Sequence, residues 1–401
     1  MDIRDAGGRL GRDVGLSGSA TGALERIRRW GEAQDWRGYD PYDALNSPLA
    51  PYLTLGTRLG RRGLTQVVKL SPLNLRPALR IRPAWNAKAL ALVASGYAHL
   101  GAARGDESAN EQARRWLDWL VESSTADRGL GWGYHFDVQT RFFSYPRGAP
   151  NVIATSFAAH ALLDGRELLG EERFGEAALQ ACDFLATRLL EEDGARAFFR
   201  YLPAERELVH NANVLACSVL ARTATLLGRD DLAEPARRAL LATLAAQRED
   251  GSWPYAEGEG HGWVDNFHTG YVLEGLAACE PVAPEVRSYL EKGLDYWERE
   301  LFLPDGTPKY FAGETLPIDA HNYAQAIETW LSVAGWRPGA LAAAERCATQ
   351  LVERMLTAAG YIAFQRRRFW TSRVPYVRWT TAPAFRALAR LELVQARREA
   401  P

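Results

Sequence analysis

Two kinds of apolar pattern alternate along the chain. Stretches beginning near Trp85, Asn151, His210, Asp265, Asp319 and Val377 carry small and apolar residues all round, as helices packed on every side do. Their starts lie 66, 59, 55, 54 and 58 residues apart. Each is preceded by a stretch with Arg and Glu on one face and apolar residues on the other: 22–35, 109–122, 172–191, 229–247, 284–300 and 339–357. That pattern predicts a helix half in water. Between the two kinds lie turns of shared character: RGLGWGYHFD, DGARAFFRYLP, DGSWPYAEG, DGTPKYFAG and AGYIAFQRRRFW. Their glycine predicts a left-handed cap on the outer helix, and the aromatics after it a short extended segment.

Six helical hairpins of about 55 residues predict an all-α fold, a closed (α/α)6 toroid with an inner ring of six helices inside an outer ring. An open solenoid or two bundles would show the same period, because closure is not written in a repeat. No linker breaks the period, so residues 21–398 are expected to form a single toroid domain after a loose segment, 1–20, rich in Gly, Asp and Arg. Residues 37–84 are an insert with little helical pattern. Tyr39, Tyr42 and Tyr52 argue against disorder there, and the insert is expected to cross one mouth as a lid or strap.

Composition narrows the classes. The 401 residues hold 48 basic and 49 acidic side chains, net −1, so no global field draws the chain to nucleic acid or membrane. Cys182, Cys217, Cys279 and Cys347 show no CxxC spacing and read as reduced core thiols of a cytoplasmic protein. The start, MDIRDAGGRLGRD, has no apolar signal core, and no run approaches the roughly 20 apolar residues of a membrane helix. No membrane insertion is expected.

Each inner helix is reached through an outer one, so all six run parallel and their N-termini meet at one mouth. The polar residues there are Asn86 and Lys88; Asn151 and Thr155; His210, Asn211 and Asn213; Asp265, Asn266 and His268; His321 and Asn322; and Arg373, Tyr376 and Arg378. Singly, Asp, Asn and Thr at a helix start are ordinary caps. Together, amides and imidazoles beside Trp132, Tyr134, Trp263, Trp370 and Trp379 suit sugar hydroxyls and the apolar faces of pyranose rings. Basic residues near the mouth, from Lys69 and Arg76 to Arg366, Arg367 and Arg368, point to an anionic ligand.

Two chemistries fit such a mouth. Glycoside hydrolysis needs two carboxylates across a cleft, with Asp265 paired to Asp40, Asp137 or Asp319; Asp43 and Glu328 are further candidates. Proton abstraction beside a carboxylate needs a His, Tyr or Lys base and cations or amides to neutralise the acid. On this reading His268 or His321 is base or acid and Tyr376 or Tyr39 its partner. Asn266, Asn322, Arg373 and Arg378 hold the carboxylate, and Asp40, Asp43, Asn86, Trp132, Tyr134, Asn151, His210, Asn211, Trp263 and Trp370 are further substrate contacts. There is no HxH or HxxxH pair, and Gly129-Leu130-Gly131-Trp132-Gly133 lacks the setting of a nucleotide loop. Neither a metal nor a cofactor is expected.

The six-hairpin pattern resembles the α/α toroids of six-hairpin glycosidases, of α/α-barrel lyases and sugar epimerases, and of terpenoid cyclases with protein prenyltransferases. Gln247-Arg248-Glu249-Asp250-Gly251-Ser252-Trp253 fits the end of a cyclase QW repeat once, but the DxDD acid is missing. The motif therefore reads as a contact that stabilises a turn. The chain is more closely similar to VpsJ-like proteins, linked to polysaccharide biosynthesis. Four segments carry that similarity: Tyr39-Asp40-Pro41-Tyr42-Asp43 with Leu45-Asn46-Ser47-Pro48; Ser71-Pro72-Leu73-Asn74-Leu75-Arg76-Pro77; Asp265-Asn266-Phe267-His268-Thr269-Gly270; and Trp370 to Trp379. The resemblance implies exopolysaccharide or lipopolysaccharide assembly as the setting and carries no reaction with it. The leading expectation is a protein acting on an acidic sugar or polysaccharide by proton abstraction, as epimerase or lyase. A hydrolase of the same fold and a non-catalytic glycan-binding or assembly protein are the alternatives.

Overall fold

A computed structural model describes residues 17–399 except Ala195. The inner ring is α4 (Ala87–Arg104), α6 (Val152–Leu168), α8 (His210–Leu227), α10 (Asn266–Cys279), α12 (Ala320–Val333) and α14 (Ala382–Glu399). The outer ring is α1 (Ser17–Ala33), α5 (Glu107–Glu122), α7 (Glu172–Phe184), α9 (Ala233–Leu244), α11 (Val286–Glu300) and α13 (Ala340–Met355). Each inner helix packs on the next, and α14 packs on α4, so the ring is closed. Of the expected loose segment, residues 1–16 lie outside the described residues, and 17–20 belong to α1.

Composition explains the two rings. Every residue of α4 from Ala87 to Gly101 is buried, so the helix has no wet face to pattern. Small residues let inner helices approach closely: a Cβ on Gly96 would lie 2.6 Å from Phe385, and one on Gly275 2.4 Å from Val214. Asn86, Asn151, Asp265 and Asp319 cap their helices, accepting from the backbone N–H of Ala89, Ala154, His268 and His321. The four cysteines are free and buried.

The hairpins are phased differently from the sequence reading. An outer helix packs chiefly on the inner helix before it, α5 on α4 and α13 on α12, through a short connection. The aromatic segments are the long connections, leading from each outer helix to the next inner one. One outer place is then left beside α14, and α1 fills it. Leu24 and Ile27 are buried there, and Arg26 Nη2 donates to the Thr357 carbonyl at 2.8 Å. Gly360 (φ 98°) lies so close that a Cβ would come within 2.7 Å of the Arg26 carbonyl.

Two further expectations are corrected. Gly251 (φ 97°) is left-handed, yet it sits in the turn beyond α9 rather than at its cap. There Gln247 Nε2 donates to the carbonyls of Gly251 (3.0 Å) and Tyr289 (2.9 Å), and Trp253 Nε1 donates to Thr243. The insert 37–84 is also more helical than its pattern suggests, with α2 (Ala50–Thr54) and α3 (Arg58–Leu70). The aromatic connections do form short extended pieces: β1 (Val138–Gln139) with β2 (Ser144–Tyr145), β3 (Leu190–Asp193) with β4 (Arg196–Phe199), and the antiparallel set β5 (Ile318–Asp319), β6 (Gln365–Arg366) and β7 (Thr371–Ser372).

Candidate active site

A cavity of about 290 Å³ opens at the N-terminal mouth of the inner ring. All six inner helices or their leading turns contribute to it: Lys88, Ile153, Asn211, His268 with Tyr271, His321, and Arg378. The connections supply aromatic walls. Tyr255 and Trp263 stack at 4.4 Å, and Phe142 lies against Trp263 at 5.5 Å. The three rings are near-parallel and form a flat aromatic platform along one wall.

His268 is held by the cap of its own helix. Asp265 Oδ1 accepts from the His268 backbone N–H at 3.0 Å, and Oδ2 accepts from Nδ1 at 2.6 Å. Trp263 Nε1 also donates to Oδ2. A carboxylate on Nδ1 fixes a proton there, and Nε2 makes no hydrogen bond among the described residues. Asp265 would also stabilise the imidazolium that forms when Nε2 takes a proton.

His321 is held differently. Its Nδ1 donates to the Trp379 carbonyl at 2.7 Å, so Nε2 accepts from Tyr271 Oη, also at 2.7 Å. Tyr271 Oη in turn accepts from Lys88 Nζ at 3.2 Å. Burial, and next the charge of Lys88, push the His321 pKa well below the usual histidine range. Lys88 is 4% exposed and forms no ion pair among the described residues. Its ammonium site lies against Phe157 (4.0 Å) and Tyr271 (5.1 Å). Burial first, then the nearby Arg378, hold its pKa well below the ordinary amine range. Arg378 is clamped to Asp40 through Nε and Nη2 and lies over Tyr134 at 4.7 Å. Its Nη1 makes no hydrogen bond among the described residues. Asn211 lines the cavity with its Oδ1 unsatisfied.

His268, His321, Asp265, Tyr134, Asn211, Trp263 and Arg378 thus meet in one cavity, as the sequence suggests. Other expected residues do not. Tyr39 and Tyr376 flank the Arg76 guanidinium at 5.7 and 4.7 Å, in a buried cluster where Asp43 accepts from Arg76 Nε at 2.7 Å. Tyr271, rather than Tyr376, lines the cavity beside His321. Asp40 touches the site only through Arg378. Asn86 and Asn151 act as caps, and Trp132 donates to the Leu120 carbonyl away from the cavity. His210 turns outward to Thr243 Oγ1 at 3.3 Å. Asn266 Nδ2 donates to the Leu301 carbonyl, and its Oδ1 accepts from Trp297. Asn322 bonds the Lys309 carbonyl. Helix phase is the reason: Asn266 lies two residues, about 200°, from His268 and so faces the outer ring. Trp370 sits at the hairpin beneath Arg367, and Arg373 is exposed outside the mouth. The sequence places Lys88 at the mouth without giving it a role, and gives no sign of Tyr271. A lysine in the first turn of an otherwise apolar helix, at the positive end of its dipole, is the signal that marks Lys88.

Carboxylates are scarce in the cavity. Among the described residues Asp265 is the one carboxylate that lines the cavity. Asp137 pairs with Arg61, and Asp319 is bound by Gln365 and Trp379. Burial raises Asp319 to about 6. Glu328 lies at the other end of the ring, where a second cavity of about 370 Å³ opens. Although larger, that cavity has much of its charge paired: Arg222 with Asp164 and Glu167, and Arg386 and Arg390, which line it, with Glu328, which does not. Among the described residues no group of three or more His, Cys, Asp or Glu is placed to hold a metal.

The fold is that of the six-hairpin glycosidase-like α/α toroids. No protein-family model matches the chain, and no curated protein does. Among solved structures it is similar to an unsaturated glucuronyl hydrolase specific for heparin (TM-score 0.63, 12% identity, 95% of this chain and 97% of that one). It is also similar to cellobiose 2-epimerase from Bacillus thermoamylovorans (0.62, 14%, 77% and 87%) and to a GH76 α-mannanase from Bacteroides thetaiotaomicron (0.61, 11%, 80% and 89%). The VpsJ-like resemblance rests on the quoted residues alone.

Proposed function

We propose that the protein is a carbohydrate epimerase or lyase that removes the proton next to the carboxylate of an acidic sugar, in the assembly of a polysaccharide. The observation that carries this reading is His268, an imidazole held through Nδ1 by Asp265, with an Nε2 that has no hydrogen bond among the described residues, in a sugar-sized cavity. His268 Nε2 takes the carbon-bound proton. Arg378 Nη1 and Lys88 face the carboxylate and stabilise the negative charge that spreads onto it. The Tyr271–His321 pair carries the second proton: Tyr271 Oη delivers it to carbon in an epimerase or to the leaving oxygen in a lyase, and Lys88 restores it. Toroids of like fold include an epimerase named for cellobiose and a hydrolase named for unsaturated glucuronyl groups, which supports a carbohydrate substrate. A lone carboxylate in the cavity disfavours the hydrolase alternative, which needs two.

The test is proton NMR in heavy water with uronate-containing oligosaccharides. The hydrogen beside the carboxylate should exchange, and His268→Ala should slow that exchange by about 10²–10⁴-fold. New reducing ends without exchange would sink the proposal in favour of hydrolysis. Binding without any reaction would reduce the protein to a glycan-binding one.

A further inference from the structure

The insert over the mouth carries a surface unlike the rest of the molecule. No acidic residue occurs between Asp43 and Asp106, while Arg58, Arg61, Arg62, Lys69, Arg76, Arg80 and Arg82 all fall within 44–84. The near-zero net charge of the chain hides this local excess. Arg58, Arg62, Arg80 and Arg82 are exposed and pair with no acidic side chain among the described residues. Exposed apolar residues gather in the same place. Of eleven large hydrophobic side chains exposed among the described residues, seven lie between 52 and 73: Tyr52, Leu53, Leu55, Leu59, Val67, Leu70 and Leu73. Single exposed leucines are ordinary, but a contiguous set is not.

Helix α3 shows how the set is built. It is amphipathic in the inverted sense. Thr65 and Val68 are buried, and Arg61 and Lys69 reach inward to Asp137 and to Tyr42 Oη. Leu59, Val67 and Leu70 form the outward stripe, spaced as one helical face. Ahead of the helix, Leu55 is 83% exposed and stands in the left-handed region (φ 50°), which costs a bulky residue energy. An apolar side chain is thus held out into water in a conformation it disfavours.

We infer that this face docks on the surface of an anionic lipid bilayer, with α3 lying in the headgroup plane and the cavity rim set against it. An outward apolar stripe flanked by unpaired arginines is what such a surface complements: acyl chains receive the leucines and anionic headgroups the guanidiniums. No helix among the described residues is long and apolar enough to cross the membrane, so the contact is peripheral. Lys69 bonds Tyr42, a residue of the cavity wall, which places the docking face at the entrance. The inference goes beyond the proton-abstraction reading and does not depend on it.

Sedimentation of the full chain with vesicles tests it. Phosphatidylcholine vesicles containing phosphatidylglycerol should carry the protein down, salt should release it, and phosphatidylcholine alone should bind little. Leu55→Asp with Leu59→Asp and Val67→Asp should lower partitioning at least about tenfold. Arg58→Gln and Arg62→Gln should lower it by about fivefold each. All these positions are exposed, and an unchanged urea midpoint would show the variants folded. Absence of wild-type binding to the anionic vesicles would overturn the inference, as would binding that ignores the three aspartates. A concentration-dependent dimer lost in the triple variant, without vesicle binding, would assign the face to a second copy and overturn it equally.

Discussion

Lys88 is the side chain whose state the cavity controls most directly. It is buried beside Arg378 and pairs with no carboxylate among the described residues, so the empty site disfavours its ammonium form. An acidic sugar would supply the missing negative charge and restore the proton. Binding of a uronate near pH 7.5 should therefore take up a proton, visible as a dependence of calorimetric heat on the ionisation enthalpy of the buffer. Lys88→Met should abolish that uptake and weaken binding by about 10- to 100-fold, since a hydrogen bond to a charged group is worth about 1.5–3 kcal/mol. Tyr376→Phe should leave both unchanged, because Tyr376 is buried against Arg76 away from the cavity. Unaltered proton uptake in Lys88→Met would refute this account of the lysine. The contrast shows what was legible at this scale. His268, His321 and Asp265 could be read because a histidine after an acidic cap is conspicuous. Tyr376 and Tyr271 could not be told apart, because which face of a turn points inward depends on backbone phase that no local pattern encodes.

Individual helices obeyed their patterns except where the pattern faced the wrong way. The inner helices were legible because burial on every side removes the polar stripe, and their caps were legible as Asn or Asp before an apolar run. Asn151→Ala should cost about 1 kcal/mol in urea unfolding, the usual loss for a missing cap, with sugar binding retained. A loss of binding without a loss of stability would mean Asn151 touches substrate after all. Helix α3 escaped the reading because its apolar residues point to solvent, so its periodicity did not announce a core-facing element. Its sequence is nonetheless a regular helix, capped by Thr57, whose side chain accepts from the Gly60 N–H.

At the scale of the whole molecule, burial of neutral histidines sets the response to acid. Burial lowers the pKa of His99 and His321, and brings His135 and His210 to about 4 and His160 to about 3. Their contribution is fully present above about 6.5, where the unfolded histidines are neutral too, and is lost as the pH falls below it. Two buried carboxylates work in the opposite sense, Asp43 raised to about 7 and Asp319 to about 6, and five groups outnumber two. The unfolding temperature should fall from pH 7 to pH 5, as differential scanning calorimetry would show; a rise would mean the carboxylates dominate. The repeat made the toroid legible at this scale, and six hairpins pointed to its closure; the pairing of α1 with α14 was not legible, since contacts between distant segments leave no period.

That pairing has a consequence for the order in which the molecule can be made. Helix α1 leaves the ribosome before every other helix of the two rings, yet the surface that buries Leu24 and Ile27 belongs to the sixth hairpin of the ring. Through the synthesis of every intervening helix it has no native place to dock. A stacked array gains stability with each repeat added, but here the final helix completes two contacts at once, α14 on α4 and α1 on α14. A nascent chain halted before Ala382 is therefore an open ring rather than a shorter one, with both of its lips apolar and a natural client for whatever shields such surfaces in the cell.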